Sequence, residues 1–211
     1  MSATAPAALE PRKKPRQARA VATVDAIFEA TIQLLLGDGL GRLTTTRVAE
    51  RAGVSVGTMY QYFPHKQALI YGLNARYLEA LAERIETACR ACHGASLDEM
   101  VRSLIETYWR AKTERADVTR ALYLSVAGMD NSALIDEFAQ RADMATIAML
   151  QTASDARFAN IELANRTLVT VVFGTVRNAF ERNLDHARAD AVRAELIRMC
   201  RAYLREAASG T

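Results

Sequence analysis

Histidine is nearly missing from this chain. There are three in 211 residues, at 65, 93 and 186. None sits in a pattern with an acid, a base or a nucleophile, which argues against an enzyme. Cysteine is scarce as well: three, an odd number. That fits free thiols in a reducing cytoplasm better than a stapled secreted fold. Proline and glycine are few, at 4 and 10, and half the residues are apolar, which points to a helical protein. No apolar run is read as reaching membrane-spanning length. No apolar core follows the N-terminal charges, so a secretory signal is not expected. No helix carries charged residues at metal-ligand spacing, and neither metal nor cofactor is expected.

The length allows one or two small domains with a real core. Net charge is only +3 but uneven. Residues 1–66 hold nine Lys/Arg against five acids, and the remainder is slightly negative. A basic N-terminal third suits contact with nucleic acid. Within it, residues 1–19 read as a basic arm carrying Arg12, Lys13, Lys14 and Arg16. Prolines at 11 and 15 argue against a helix there. Such an arm is either a solubilising tail or a segment that orders on DNA phosphates or in the minor groove.

The most informative stretch is Leu43 to Lys66, LTTTRVAERAGVSVGTMYQYFPHK. Thr44, Thr45 or Thr46 can cap a short helix whose apolar face is Val48, Ala49 and Ala52. Gly53 supplies a left-handed stop. Ser55 caps a second helix over 56–63, and Pro64 ends it. Met59 and Phe63 point inward. Two helices of about two turns cannot stand alone; the stripe Val24, Ile27, Phe28, Thr31, Leu34 and Leu35 of a helix over 21–36 supplies their third wall. Small residues at Ser55, Val56 and Gly57 would allow close approach to a duplex. Thr44, Thr45, Arg47, Thr58, Tyr60, Gln61 and Tyr62 offer groups for bases or phosphates, and Lys66 suits a phosphate. The same pattern also describes a plain helical hairpin with a solvated face.

The stretch resembles the helix-turn-helix of the TetR family of bacterial regulators. The likeness runs through Thr45, Val48, Ala49, Ala52-Gly53-Val54-Ser55, Gly57-Thr58-Met59-Tyr60, Tyr62-Phe63, Lys66 and Leu69. With the preceding helix it covers about residues 20–80. Beyond that the resemblance is one of length and helical character. It implies an all-α protein: a three-helix DNA-binding head over 20–80, joined by a long helix to a ligand-binding and dimerisation body over 81–211. It also implies a homodimer, a palindromic operator, release by a small ligand and no membrane.

The linking helix is expected over 66–91, on the stripe Leu69, Ile70, Leu73, Tyr77, Leu81 and Ile85. At ~1.5 Å per residue it would span ~39 Å. Ser96-Leu97-Asp98-Glu99 is a capping box and starts a helix at Leu97. Further helices are expected over 117–127, 133–156, 161–183 and 188–207. The run from Thr167 to Phe173 is β-branched enough for a strand, but no second such run exists to pair with it.

For the effector, bulky side chains nominate Tyr108, Trp109, Tyr123, Met129, Phe138, Met149 and Phe173, which as a set suit an apolar or aromatic molecule. Arg110, Arg177 or Asn178 would give a polar handle. For the dimer, the last two helices offer Val169, Val172, Val176, Phe180, Leu196, Met199 and Tyr203; burial inside one chain is the competing reading. Cys89-Arg-Ala-Cys92-His93 spells a haem-attachment pattern without the export context that chemistry needs. Cys89 and Cys92 do share one helix face, which leaves a thiol-based redox sensor with the same DNA head as the alternative function.

Overall fold

The computed structural model describes residues 18–182 and 184–208. The arm residues Arg12, Lys13, Lys14 and Arg16 therefore lie outside the described residues. Nine helices and no strand occur among those described: α1 Ala18–Arg42, α2 Thr45–Ala52, α3 Val56–Tyr62, α4 Lys66–Ala91, α5 Leu97–Thr113, α6 Ala116–Ser125, α7 Ser132–Leu150, α8 Ile161–Glu181 and α9 His186–Ala207. The β-branched run at 167–173 is helical, inside α8.

The chain forms two compact units. Of the described residues, one holds those up to Leu78 together with Asp117–Asp136; the other holds Glu79–Ala116 together with those from Glu137 on. Beside the expected head segment, the first takes in α6 from Asp117, the loop after it and the start of α7. Val118 and Leu122 of α6 are buried in the same core as Ile27, Phe28, Val48, Met59, Phe63 and Leu69. The Tyr77 and Thr119 hydroxyls, 3.3 Å apart, tie α4 to α6 in that unit.

All six side chains of the expected α1 stripe are buried. The helix nevertheless continues past Leu36 to Arg42, across a break at Gly39 (φ 75°, ψ 172°). With 25 residues and an 18-residue stretch of mean hydropathy 1.5, α1 is by length and composition long and apolar enough to cross a membrane. This corrects the expectation that no run reaches that length. Its stripe from Val24 to Leu35 is instead buried in the head, with Ile27 fully buried, while Val21 and Leu36 stay exposed; α1 packs as a helix of the head core.

The second unit is built around α5. Both halves of the Ser96–Glu99 capping box form, and Leu97, Met100, Val101, Leu104, Ile105, Tyr108 and Trp109 are all buried. The helix expected over 133–156 stops at Leu150. Beyond it, Thr152 Oγ1 accepts from the Gly94 amide at 2.9 Å and Asp155 Oδ1 from the Leu97 amide at 2.7 Å. Those side chains serve the turn before α5, a long-range role that helical periodicity cannot reveal.

A guanidinium fork joins α7 to α4. Arg141 donates through Nε and Nη2 to the Glu86 carboxylate (2.7 and 3.0 Å) and through Nη1 to Glu79 (2.7 Å). The Arg141 hydrogen bonds hold the Glu86 carboxyl below the usual glutamate range, against the opposing effect of burial. A depressed carboxyl stabilises above its unfolded value, and that contribution is lost as pH falls through the folded value. We expect Arg141→Met to lower the melting temperature by about 2–4 °C near neutrality, the equivalent of ~1 kcal/mol. The gap should close below about pH 4. Melting curves of both proteins across pH check this; a gap independent of pH would contradict it.

Candidate nucleic-acid interface and effector site

The exposed end of the head is shaped by three local devices. Thr44 Oγ1 accepts from the Arg47 amide at 3.2 Å and caps α2. Gly53 ends α2 at φ 68°, where its amide reaches the Ala49 and Glu50 carbonyls; a side chain would be strained at this φ. Ser55 Oγ accepts from the Thr58 amide at 3.0 Å and lies 2.8 Å from the Thr58 hydroxyl, capping α3. Met59 and Phe63 anchor α3 from below at 0% and 1% exposure, with the Phe63 ring 5.4 Å from Phe28.

That anchoring leaves Ser55, Val56, Gly57, Tyr60 and Gln61 exposed on the outer side of α3, with Thr44 exposed beside them. Thr58 and Tyr62 are half-buried. Thr45, also half-buried, donates to the Tyr60 hydroxyl at 3.4 Å, a long bond across the turn. Two of the basic residues are engaged inside the head. Arg47 donates to Asp38 at 2.6 Å and to the Arg42 carbonyl at 2.9 Å. The Lys66 ammonium donates to the Leu40 carbonyl at 3.1 Å. The sequence shows the charge of these two side chains but not these partners.

The bulky residues nominated for an effector divide between the units. Tyr123 and Met129 belong to the first, where Met129 packs on the head core. Tyr108, Trp109, Phe138, Met149 and Phe173 belong to the second. There the Tyr108 and Phe173 rings are 4.4 Å apart and Phe138 and Phe173 are 5.5 Å apart. Trp109 has Arg193 over its ring at 6.0 Å.

The nominated polar handles Arg110, Arg177 and Asn178 are exposed, and Arg177 pairs with Glu181 at 2.7 Å. The buried cation is Lys112, 2% exposed, with its ammonium 5.4 Å from the centre of the Tyr108 ring. Sequence reasoning passed over it. The signal was present: Lys112 follows Tyr108 by four residues and Trp109 by three, so a charge stands on the apolar stripe of α5.

An open groove of about 490 Å³ also runs between α5 and α9. Its walls include Asp98, Glu106, Asp190, Arg193, Arg201 and Arg205, and none of the nominated aromatic residues lines it. Its charged walls do not match an apolar guest.

Burial pushes the Cys89 thiol up to about 12 and the Cys200 thiol up to about 11. A thiol held protonated is a poor nucleophile, which weighs against Cys89 as a redox sensor. Among the described residues, no three His, Cys, Asp or Glu gather in a way that could hold a metal ion.

Five of the residues nominated for a dimer surface are buried within the single chain: Val169, Val172, Val176, Phe180 and Leu196. Met199 remains 51% exposed and Tyr203 is half-buried. The outward face of α8 instead carries Leu163, Thr170 and Gly174, all exposed.

Two family models cover most of this architecture. Residues 27–73 match the model for bacterial regulatory proteins of the tetR family. Residues 96–204 match the model for a tetracyclin repressor-like C-terminal domain. The nucleoid occlusion factor SlmA of Haemophilus ducreyi is 31% identical over 109 residues, 51% of this chain and 53% of that protein. The HTH-type transcriptional repressor KstR of Rhodococcus jostii is 41% identical over 58 residues, 28% of this chain and 27% of that protein. The chain thus spans about half the length of SlmA and less of KstR. Among solved structures, a chain from Mesorhizobium loti assigned to the TetR-family regulators superposes with a TM-score of 0.72 at 16% identity, covering 92% of this chain and all of that one. A TetR transcription regulator from Haloarcula marismortui gives 0.65 at 21% identity, covering 90% of this chain and all of that one. With one family model on the capped α2–α3 pair and another on more than half of the chain, this protein belongs to the TetR family of DNA-binding transcriptional regulators, which are not enzymes.

Proposed function

We propose that this protein is a cytoplasmic homodimeric repressor that binds a palindromic operator and is released by a small apolar or aromatic effector. The observation that carries this reading is the exposed α3 surface, Ser55 to Gln61, held in place by two side-chain caps, the Gly53 turn and the Met59–Phe63 anchor. A rigid helix N-terminus with small residues leading and Tyr60 and Gln61 following suits the major groove. The KstR relative is named a transcriptional repressor, which supports the sign of regulation. The buried aromatic cluster of the second unit supports an apolar effector, and the raised Cys89 thiol makes the redox alternative the weaker of the two.

In this mechanism the dimer sets two α3 helices about one turn of DNA apart, ~34 Å. The effector favours a different tilt of α4, the helix common to both units, and the operator fits less well. It shifts the equilibrium only by its differential affinity for the two states. The dimer would use the outward faces of α8 and α9, where Thr170 and Gly174 permit close helix approach.

Tyr60→Ala and Gln61→Ala test the head. Both side chains are exposed, so folding should be unaffected, and each change should weaken operator binding about tenfold, the equivalent of ~1.4 kcal/mol. Fluorescence anisotropy on an operator duplex checks this. Unchanged affinity in both variants would remove the α3 surface from the account.

A further inference from the structure

The groove between α5 and α9 holds more positive charge than it balances. Both helices belong to the second unit. They run antiparallel: Arg205, near the end of α9, meets Asp98 at the start of α5 at 2.7 Å, while Arg193, earlier on α9, lies over the Trp109 ring near the end of α5. Five arginines line the groove against three carboxylates, so two positive charges are in excess. Each arginine has an ion pair within the chain, but these pairs are loose or shared. Arg102 reaches Glu106 at 3.6 Å and Arg198 reaches Glu195 at 3.3 Å, each on its own helix and each with more than half of the arginine side chain exposed. Such pairs are worth little in water. Asp98 is divided between Arg205 and Arg201. Arg201 has the poorer share: its Nε is 3.8 Å from that carboxylate, buried and without a hydrogen bond, whereas buried donors normally find a partner.

The charges are ordered along the groove. Arg102 follows Asp98 by one turn of α5, which sets it beside Arg198 and Arg201 on the antiparallel α9. Three guanidinium groups thus hold the middle, with Asp98 towards one end and Glu106 and Asp190 towards the other. Ala194, Ile197 and Ala202 give an apolar lining between them. We propose that this groove binds a small phosphate monoester, its head held by Arg102, Arg198 and Arg201 and its remainder lying on Ala194, Ile197 and Ala202. Guanidinium forks match phosphate oxygens, and a monoester offers three strong acceptors and close to two negative charges. The carboxylates at both ends oppose a longer polyanion such as nucleic acid or an acidic chain. The volume, about 490 Å³, is that of a small-molecule site. The groove also stays clear of the proposed dimer face. At ~3.6 residues per turn, Met199 and Tyr203 flank the buried Leu196 and Cys200 on one side, and Arg201 and Arg205 flank the buried stripe on the other. The site is separate from that of the effector and stands without it.

The test uses the full chain without DNA and phenyl phosphate as the probe, beside benzoate and phenol, in calorimetry at constant ionic strength. Phenyl phosphate is expected to bind at least roughly tenfold more tightly than benzoate, which carries one charge, and phenol not at all. Arg102→Gln and Arg198→Gln alter exposed side chains, so folding should hold, and each should weaken phenyl phosphate binding roughly tenfold. Arg166→Gln, on an exposed residue of α8 outside the groove, should leave it unchanged. Binding unaltered in both groove variants would place the anion elsewhere, the DNA-facing head included, and would overturn the proposal. Benzoate binding as tight as that of phenyl phosphate would overturn it too, as would no phenyl phosphate binding up to about 10 mM.

Discussion

Replacing Gly174 with leucine is expected to turn the proposed dimer into a monomer and to weaken operator binding by roughly 10²-fold or more. Gly174 lies on the exposed face of α8, and a Cβ built there meets nothing within 4 Å in the single chain. The helix itself should gain, since glycine costs about 0.8–1.0 kcal/mol relative to alanine in a helix interior. The loss of dimer is therefore expected from contact with a second chain. Thr170 and Gly174 are small, exposed residues one turn apart on α8, with the exposed Leu163, Arg166 and Arg177 flanking them, and small residues let helix axes come close. In a two-fold interface the residue meets its own symmetry mate or a neighbour of it, so each leucine would act twice. Losing the dimer removes the gain from binding two half-sites at once, which gives the expected factor. Light scattering after size exclusion, together with anisotropy on the operator, checks both parts. A variant that remains dimeric would move the interface off this face of α8.

The second large effect is in the head. Phe63→Ala should cost about 3–5 kcal/mol, the usual range for removing a buried phenyl ring. Phe63 is 1% exposed and its ring lies 5.4 Å from that of Phe28. It joins the end of α3 to α1, so its loss releases the surface that faces DNA. Against a total stability of about 5–15 kcal/mol, this should lower the melting temperature by roughly 10 °C and abolish operator binding well before global unfolding. A drop under about 2 °C with operator binding intact would show that α3 is held by other means.

Much of the head could be read from the sequence because its signals are local. Thr44, Gly53 and Ser55 act within four residues of themselves, and so do Ser96 and Glu99 in the capping box. Tertiary choices were harder. Helix α6 joins the head core through Val118 and Leu122, although its place in the chain assigns it to the body. Helix α7 ends early because Thr152 and Asp155 serve a turn some sixty residues upstream.

The same limit applies to α8 and α9. Apolarity picks out Val172, Val176 and Leu196, and the single chain buries them. A face meant for a second copy can be made of threonine and glycine, which a search for hydrophobic residues passes over. Lys112 shows the reverse case. Its charge was visible on an apolar stripe, but only the structure shows that it is buried beside Tyr108.

The central claim is that two copies of this chain read one inverted-repeat sequence. The most direct measurement is a selection of genomic fragments bound by the purified full-length protein, followed by sequencing. The expected result is one enriched motif, an inverted repeat whose half-site centres lie about 10 base pairs apart or at a multiple of that spacing, with enrichment lost in the Tyr60→Ala protein. Fragments without a common motif, or enrichment indifferent to Tyr60, would contradict the account.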